Sequence, residues 1–383
     1  MTTGEIAALH YLTRRPTVVR WKDGIITSVE PASSLESDDV WIAPALVDLQ
    51  INGYAGVDFQ RDDFTGADLL KAARRLRADG CSRFFFTLIT NAWPTLLDRL
   101  RRARALRAES PELQAAIAGW HMEGPFLSSE PGFCGAHNPA WMINPSLEQV
   151  RELRAVAGDD PLLITAAPER PGVVEIIKSA VSMGIKVSLG HTNASFEVLR
   201  QAVQSGATGF THLANGCPRD LDRHDNILWR MFETAGLTVS LIPDRIHVSP
   251  ALFRLIHRVL KPESIYYTTD AMSAAGAPPG RYRIGQLELE VGADQVVRLP
   301  GKPNFAGSAL RPIEGVFRAA QMLNCAWQEV WDRLSTRPAS LMNLPAGMAV
   351  GLPVHLCLLT ARENQLLALK VLSPVSRADE ELR

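Results

Sequence analysis

Two histidines lie one strand–helix–strand unit apart in the stretch 185–218, IKVSLGHTNASFEVLRQAVQSGATGFTHLANGCP. An apolar, β-branched run over 185–189 stops at Gly190-His191, and an amphipathic helical segment fills 195–204. Gly206 ends that segment before a second short run, 208–213, which carries His212. Such a crossover makes the two strands parallel neighbours, about 4.8 Å apart. Imidazoles at matching ends of neighbouring strands can share one divalent cation through bonds of about 2.0–2.1 Å. A lone histidine would more simply cap its strand; two in matching positions, with a third ligand elsewhere, point to a metal.

Glu123, in His121-Met122-Glu123-Gly124-Pro125, supplies that third ligand at the end of another apolar run. Two imidazoles and a carboxylate leave a fourth position open for water, whose pKa the cation lowers. Asp270 closes Thr268-Thr269-Asp270 and is placed to take the water proton and return it to a leaving amine. His247, in Asp244-Arg245-Ile246-His247, is placed to polarise a carbonyl or to bind an anionic group. Each has a competing reading: Glu123 paired with His121 or an arginine, and Asp270 capping a following helix. His121 shares a strand face with Glu123 by period two and reads as core or as support for the ligand. His10, His224, His257 and His355 lie outside the strand-end pattern.

Alternating strands and helices must position these groups. Strand signals fall at 42–50, 83–89, 117–123, 162–167, 185–190, 208–213, 238–242 and 265–270. Helical stretches at 64–79, 93–108, 146–156, 172–183 and 250–260 separate them. Eight such units over about 300 residues predict a (β/α)8 TIM-type barrel, whose chemistry sits at the C-terminal mouths of its strands. A doubly wound open sheet is the alternative. No GxGxxG follows the first strand and no GxxxxGK[ST] occurs, which counts against a nucleotide-binding loop. Strand signals at 17–21, 24–29, 354–359 and 366–371 predict a small β domain built from both ends, 1–40 with 349–383, around a barrel of 41–348.

The 383 residues are 46% hydrophobic and 21% charged, and 40 basic against 41 acidic side chains leave a net charge of −1. That balance gives no electrostatic footprint for nucleic acid or an anionic membrane. The N-terminus lacks the features of a secretory signal, and no apolar run is long enough to span a bilayer. Cys81, Cys134, Cys217, Cys325 and Cys357 form no CxxC pair and suit reduced thiols in the cytoplasm.

Taken together, the stretches APALVDLQINGYAGVDF (43–59), HMEGPFLSSEPGFCGAHNP (121–139), VSLGHTNAS (187–195), GATGFTHLANGCP (206–218), IPDRIHVSP (242–250), TTDAMSAAG (268–276) and FAGSAL (305–310) make the chain resemble the amidohydrolase superfamily. Within it the similarity is to the branch that deacetylates hexosamine phosphates. The resemblance implies one divalent cation on Glu123, His191 and His212, zinc first, with iron, manganese or cobalt as alternatives. It implies Asp270 as the acid/base, and a sugar-phosphate site made of Ala136, His137, Asn215, Gly216, Arg223, His247 and the turn Phe305-Ala306-Gly307. It also implies a homodimer with the phosphate site near the interface, so that a second chain completes the pocket. The implied reaction is release of acetate from N-acetylglucosamine 6-phosphate. The galactosamine isomer, or another N-acyl or cyclic amide, is the alternative substrate, and a non-catalytic sugar-phosphate binding protein is the alternative class. Two departures stand out. Gln50 and Asn52 occupy the place of the His-x-His pair that many members use for a second metal, so one cation is expected. Arg245 stands where the family has glycine; it would fill the phosphate pocket, add a phosphate contact, or mark a different acidic substrate.

Overall fold

Eight strands run parallel, each hydrogen-bonded to the next in chain order: Leu46–Ile51, Cys81–Ile89, Ile117–Glu123, Leu162–Ala166, Ile185–Leu189, Gly209–Phe210, Thr238–Leu241 and Ile265–Tyr267. This computed structural model describes residues 3–35, 37–300 and 307–375. Helices follow the strands, and their ends are set by local chemistry. Thr65 opens Gly66–Ala78 with a reciprocal capping box to Asp68, and Ser146 opens Leu147–Ala157 the same way with Gln149. The sheet is the expected (β/α)8 barrel, lined outside by one large apolar core.

No regular ladder joins the first and eighth strands. An isolated parallel bridge pairs Ile51 with Ala271, and Asn52 N donates to Ala271 O at 2.7 Å. Below it, the fully buried Asp48 accepts from Thr268 Oγ1 (2.5 Å), Thr269 Oγ1 (2.6 Å) and Thr269 N (2.9 Å). A side-chain staple thus closes the barrel where the backbone ladder does not. Burial pushes the Asp48 carboxyl above its ordinary pKa, and the threonine hydrogen bonds work against that rise.

The run 42–50, expected as one strand, is two. Val40–Pro44 belongs to a six-stranded sheet and Leu46–Ile51 to the barrel. Pro44 has no N–H to continue a ladder, and its carbonyl is taken by Trp331 Nε1 (2.9 Å) and Ser335 Oγ (3.1 Å). The six-stranded sheet draws on both ends of the chain, in the order Gln365–Leu372, Leu356–Arg362, Val40–Pro44, Gly4–His10, Pro16–Lys22, Ile25–Pro31. It packs around Ala8, Val19, Ile26, Ile42, Val354 and Leu356. The sixth barrel strand is shorter than its sequence signal because Ser240 Oγ, a side chain, takes the His212 amide at 2.6 Å.

Among the elements without a counterpart in the sequence reading, one is a whole sheet. A three-stranded antiparallel sheet, Gly280–Ile284, Leu287–Val291 and Val297–Arg298, is inserted after the eighth barrel strand. Its inward residues Ile284, Leu289, Val291 and Val297 build a separate small apolar cluster with Ile89, Met272 and Ala309.

Replacing Asp48 by alanine removes the acceptor of four buried donors, Thr268 Oγ1, Thr269 Oγ1 and the amides of Thr269 and Gln50, and is expected to lower stability by about 3 kcal/mol or more, against about 1 kcal/mol for Thr269→Val. Chemical denaturation of both variants checks this. A loss below ~1 kcal/mol for Asp48→Ala would show that the seam is held by other means.

Candidate metal centre and active site

Glu123 is the last residue of the third barrel strand, and His191 and His212 each lie two residues beyond the fifth and sixth. All three are buried at the same mouth. Glu123 Oε1 is 2.8 Å from His212 Nε2 and 3.3 Å from His191 Nε2, and one ligand atom from each side chain lies within 4.8 Å of the others. His191 Nδ1 points at the Phe133 carbonyl at 2.5 Å. A carbonyl only accepts, so the proton sits on Nδ1 and the Nε2 lone pair faces Glu123. A tetrahedral cation with bonds near 2.0 Å spaces its ligands by about 3.3 Å, so the three groups fit one with small adjustment.

Electrostatics agree with that donor set. Burial opposes an ionised Glu123, yet hydrogen bonds from the surrounding imidazoles outweigh it and hold the carboxyl well below its usual range. Burial pulls His191 down to about 4, leaving a neutral ring able to coordinate. For His212 the bond to Glu123 and its charge overcome burial and raise the pKa. The carboxylate thus draws positive charge into the cluster, as a proton on His212 or, in its place, as a divalent cation shared by all three groups.

Asp270 faces the same cavity from the far side, its Oδ1 accepting from Asn52 Nδ2 at 2.7 Å. Burial first, and then the Glu123 charge, push its carboxyl up to about 7. No helix follows it; the next element is the strand Gly280–Ile284, which removes the capping alternative. Nor is Glu123 spent on His121, whose ring lies against Thr165 Oγ1 (2.8 Å) and Thr87 Oγ1 (3.4 Å). His191, His212 and Asp270 have positive φ values of 52°, 31° and 52°. Non-glycine residues held there store backbone strain of about 1 kcal/mol or more each, a pattern that gathers at functional sites. Gly216 explains itself sterically: a Cβ there would lie 2.8 Å from His191 Nδ1.

A cavity of about 410 Å³ opens over these groups. Ala136, His137, Asn215, Gly216, His247 and Gly307 line it, as does Arg219, which the sequence reading passed over. Thr90 N donates to His137 Nδ1 at 3.2 Å, so the ring proton is on Nε2, which lies 3.7 Å from Glu123 Oε2. His247 is oriented by Asp244, whose Oδ2 meets Nδ1 at 2.6 Å. Arg223 is not brought into this cavity: it is exposed, and its carbonyl accepts from Trp229 Nε1 at 3.3 Å. Arg245 also stays out. Its left-handed backbone (φ 70°) accounts for a glycine preference, and its guanidinium bonds Gln321 on the helix Pro312–Leu323. It is not among the residues that line the cavity. Phe305 and Ala306 lie outside the described residues.

Gln50 and Asn52 have roles that spacing alone concealed. Gln50 Nε2 donates to Glu123 Oε1 at 2.9 Å, as Asn52 does to Asp270. With Asp48 they form one period-two face of the first strand. The sequence signal was available: an Asp-x-Gln-x-Asn alternation inside an otherwise apolar run, LVDLQIN.

No family model matches the chain. It is 32% identical to the N-acetylglucosamine-6-phosphate deacetylase of Rattus norvegicus over 312 residues, 79% of this chain and 75% of that one. It is 29% identical to the N-acetylgalactosamine-6-phosphate deacetylase of Escherichia coli O157:H7, over 85% of each chain. Among solved structures, a variant N-acetyl-D-glucosamine-6-phosphate deacetylase from Mycobacterium smegmatis in complex with N-acetyl-D-glucosamine-6-phosphate superposes with a TM-score of 0.86 at 27% identity, covering 98% of both chains.

The raised Asp270 pKa carries a pH dependence. Its carboxyl stays protonated in the folded state above the ordinary 3.8, so its stability contribution is full below that value and is lost as pH rises through about 7. With metal chelated, the stability of Asp270→Asn relative to the unaltered protein is therefore expected to increase steadily between about pH 4 and pH 8. Denaturation midpoints across that range measure it, and a pH-independent difference would exclude a raised Asp270.

Proposed function

Since the chain belongs to the N-acetylglucosamine-6-phosphate deacetylases of the amidohydrolase superfamily, we propose that it hydrolyses the acetamide of N-acetylglucosamine 6-phosphate to glucosamine 6-phosphate and acetate. One observation carries this beyond family membership: Asp270 faces the Glu123–His191–His212 cluster across a single cavity of small-molecule size. Glu123, His191 and His212 are the ligands of one divalent cation, zinc or another first-row ion. Bound there, such a cation supplies Lewis acidity, polarising a carbonyl and making water acidic near neutral pH.

The remaining steps belong to the chain's own side chains. Asp270, with Oδ1 held by Asn52, accepts the proton of the attacking water on Oδ2. A carbon–oxygen bond forms at the acyl carbon as its carbon–nitrogen bond breaks, and Asp270 returns the proton to the departing sugar nitrogen. The Nε2–H of His137 is oriented to donate to the acyl oxygen as negative charge develops on it. Asn215 and His247 line the sugar side of the cavity, and Arg219 offers a cation for the phosphate. The exposed Arg223 supports a homodimer in which each chain lends this guanidinium to the other's phosphate site.

The galactosamine isomer is the second reading, supported by the 29% identical relative that acts on that sugar. The five unpaired cysteines support a reducing, cytoplasmic location, and among the described residues no helix is long and apolar enough to cross a membrane.

Acetate release from both hexosamine phosphates tests the substrate, with one bound cation per chain as the expected stoichiometry. Asp270→Asn should lower kcat by about 10²–10⁴-fold while substrate still binds; a loss of under about tenfold would remove Asp270 from proton transfer. Arg219→Ala and Arg223→Ala should each raise KM with little change in kcat. An unmoved KM for Arg223→Ala would take that residue, and the second chain with it, out of the site.

A further inference from the structure

Among the described residues, the wall of the cavity is polar or glycine except at one corner. Among the described lining residues, the apolar side chains are Ile89, Ala136 and Ile284, and all three pack into the same small cluster with Met272 and Leu289. Ile89 is the ladder partner of Glu123 on the adjacent strand, and Ala136 directly precedes His137. The apolar corner therefore adjoins both groups that would meet an acyl oxygen, the cation ligand and the His137 Nε2–H.

Ile284 comes from the inserted three-stranded sheet, and its position is fixed on both sides. Ser273 Oγ donates to the Arg283 carbonyl at 2.6 Å, and Gly285 N donates to Asp58 Oδ2 at 2.9 Å. Gln60, two residues beyond Asp58, accepts from Ile89 N through Oε1 at 3.0 Å. One short loop after the first barrel strand thus aligns both isoleucines. Neither has room behind it: Ile284 is 2% exposed and Ile89 7%.

The acyl carbon has three substituents to place. Its oxygen belongs at the cation and His137, and its nitrogen leads to the sugar, whose hydroxyls and phosphate need the polar side. The alkyl group remains, and among the described residues the corner of Ile89, Ala136 and Ile284 is the apolar surface that can receive it. We propose that Ile284, with Ile89 and Ala136, forms the acyl pocket and restricts the enzyme to short N-acyl groups, acetyl above all. The inserted sheet is then the specificity element of the site. The inference rests on the deacetylation reading above.

An extra methylene against a closed apolar pocket is discriminated by roughly 10–200-fold. The experiment measures kcat/KM for N-acetyl-, N-propionyl- and N-butyryl-glucosamine 6-phosphate with the unaltered protein, Ile284→Ala and the milder Ile284→Val. The unaltered protein should lose about tenfold or more per added methylene. In Ile284→Ala the butyryl-to-acetyl ratio should rise at least about tenfold, with Ile284→Val intermediate. Far-UV circular dichroism and bound-cation content establish that each variant is folded. Acetate release by the unaltered protein, with a ratio that moves less than twofold in both variants, overturns the acyl pocket and leaves the deacetylation reading standing. Absence of any acetate release overturns that reading, and the pocket with it.

Discussion

One negative charge, buried among imidazoles, governs the mouth of this barrel. Burial by itself would protonate Glu123. The His137 and His212 rings reverse that tendency and keep the carboxylate ionised, and the amide of Gln50 donates to the same group. The same charge then acts on Asp270 in the opposite direction, raising its pKa beyond what burial alone would do. Two carboxyl groups in one cavity are thereby driven apart, one held ionised and the other raised to about 7. That separation of roles is what metal-assisted amide hydrolysis requires.

Closing the fold and building the site are, to a large extent, the same physical problem. The first barrel strand presents Asp48, Gln50 and Asn52 on one face. Asp48 fastens that strand to the eighth, Gln50 holds Glu123 from the third, and Asn52 holds Asp270 at the end of the eighth. A single two-residue period runs from the structural seam to Glu123 to Asp270. Any change in the register of this strand would disturb all three together, since a one-residue slip turns each side chain to the opposite face. The left-handed backbone at His191, His212 and Asp270 shows where the strain of bringing the groups together has been left.

The loops contribute what the strands do not. The segment that carries Phe133 and His137 fixes the proton positions of His191 and His137 through a carbonyl and through Thr90, so that one ring coordinates and the other donates. The inserted sheet adds Ile284 to the apolar corner that Ile89 and Ala136 give the cavity. Arginine placement follows side-chain reach more than sequence position: Arg219 enters the cavity, Arg223 remains at the surface, and Arg245 turns away to Gln321.

Periodicity and punctuation in the chain determined the barrel, because a parallel strand buried on both faces and the helix that follows it each leave a local signature. The candidate cluster was legible for the same reason: Glu123 ends its strand, and His191, His212 and Asp270 follow within a few residues of the ends of theirs. Local signals could not determine pairings between distant residues. Asp48 meets Thr269, and Asn52 meets Asp270, across more than half the chain. The insertion at 280–298 was missed because its strands are only two to five residues long and fall outside the strand–helix repeat, although Leu287–Val291 alternates apolar and charged residues. Residue types and spacing thus specified which groups could perform the chemistry. Only tertiary contact decided their protonation and the wall they share, because both depend on burial and on neighbours that the chain brings together from far apart.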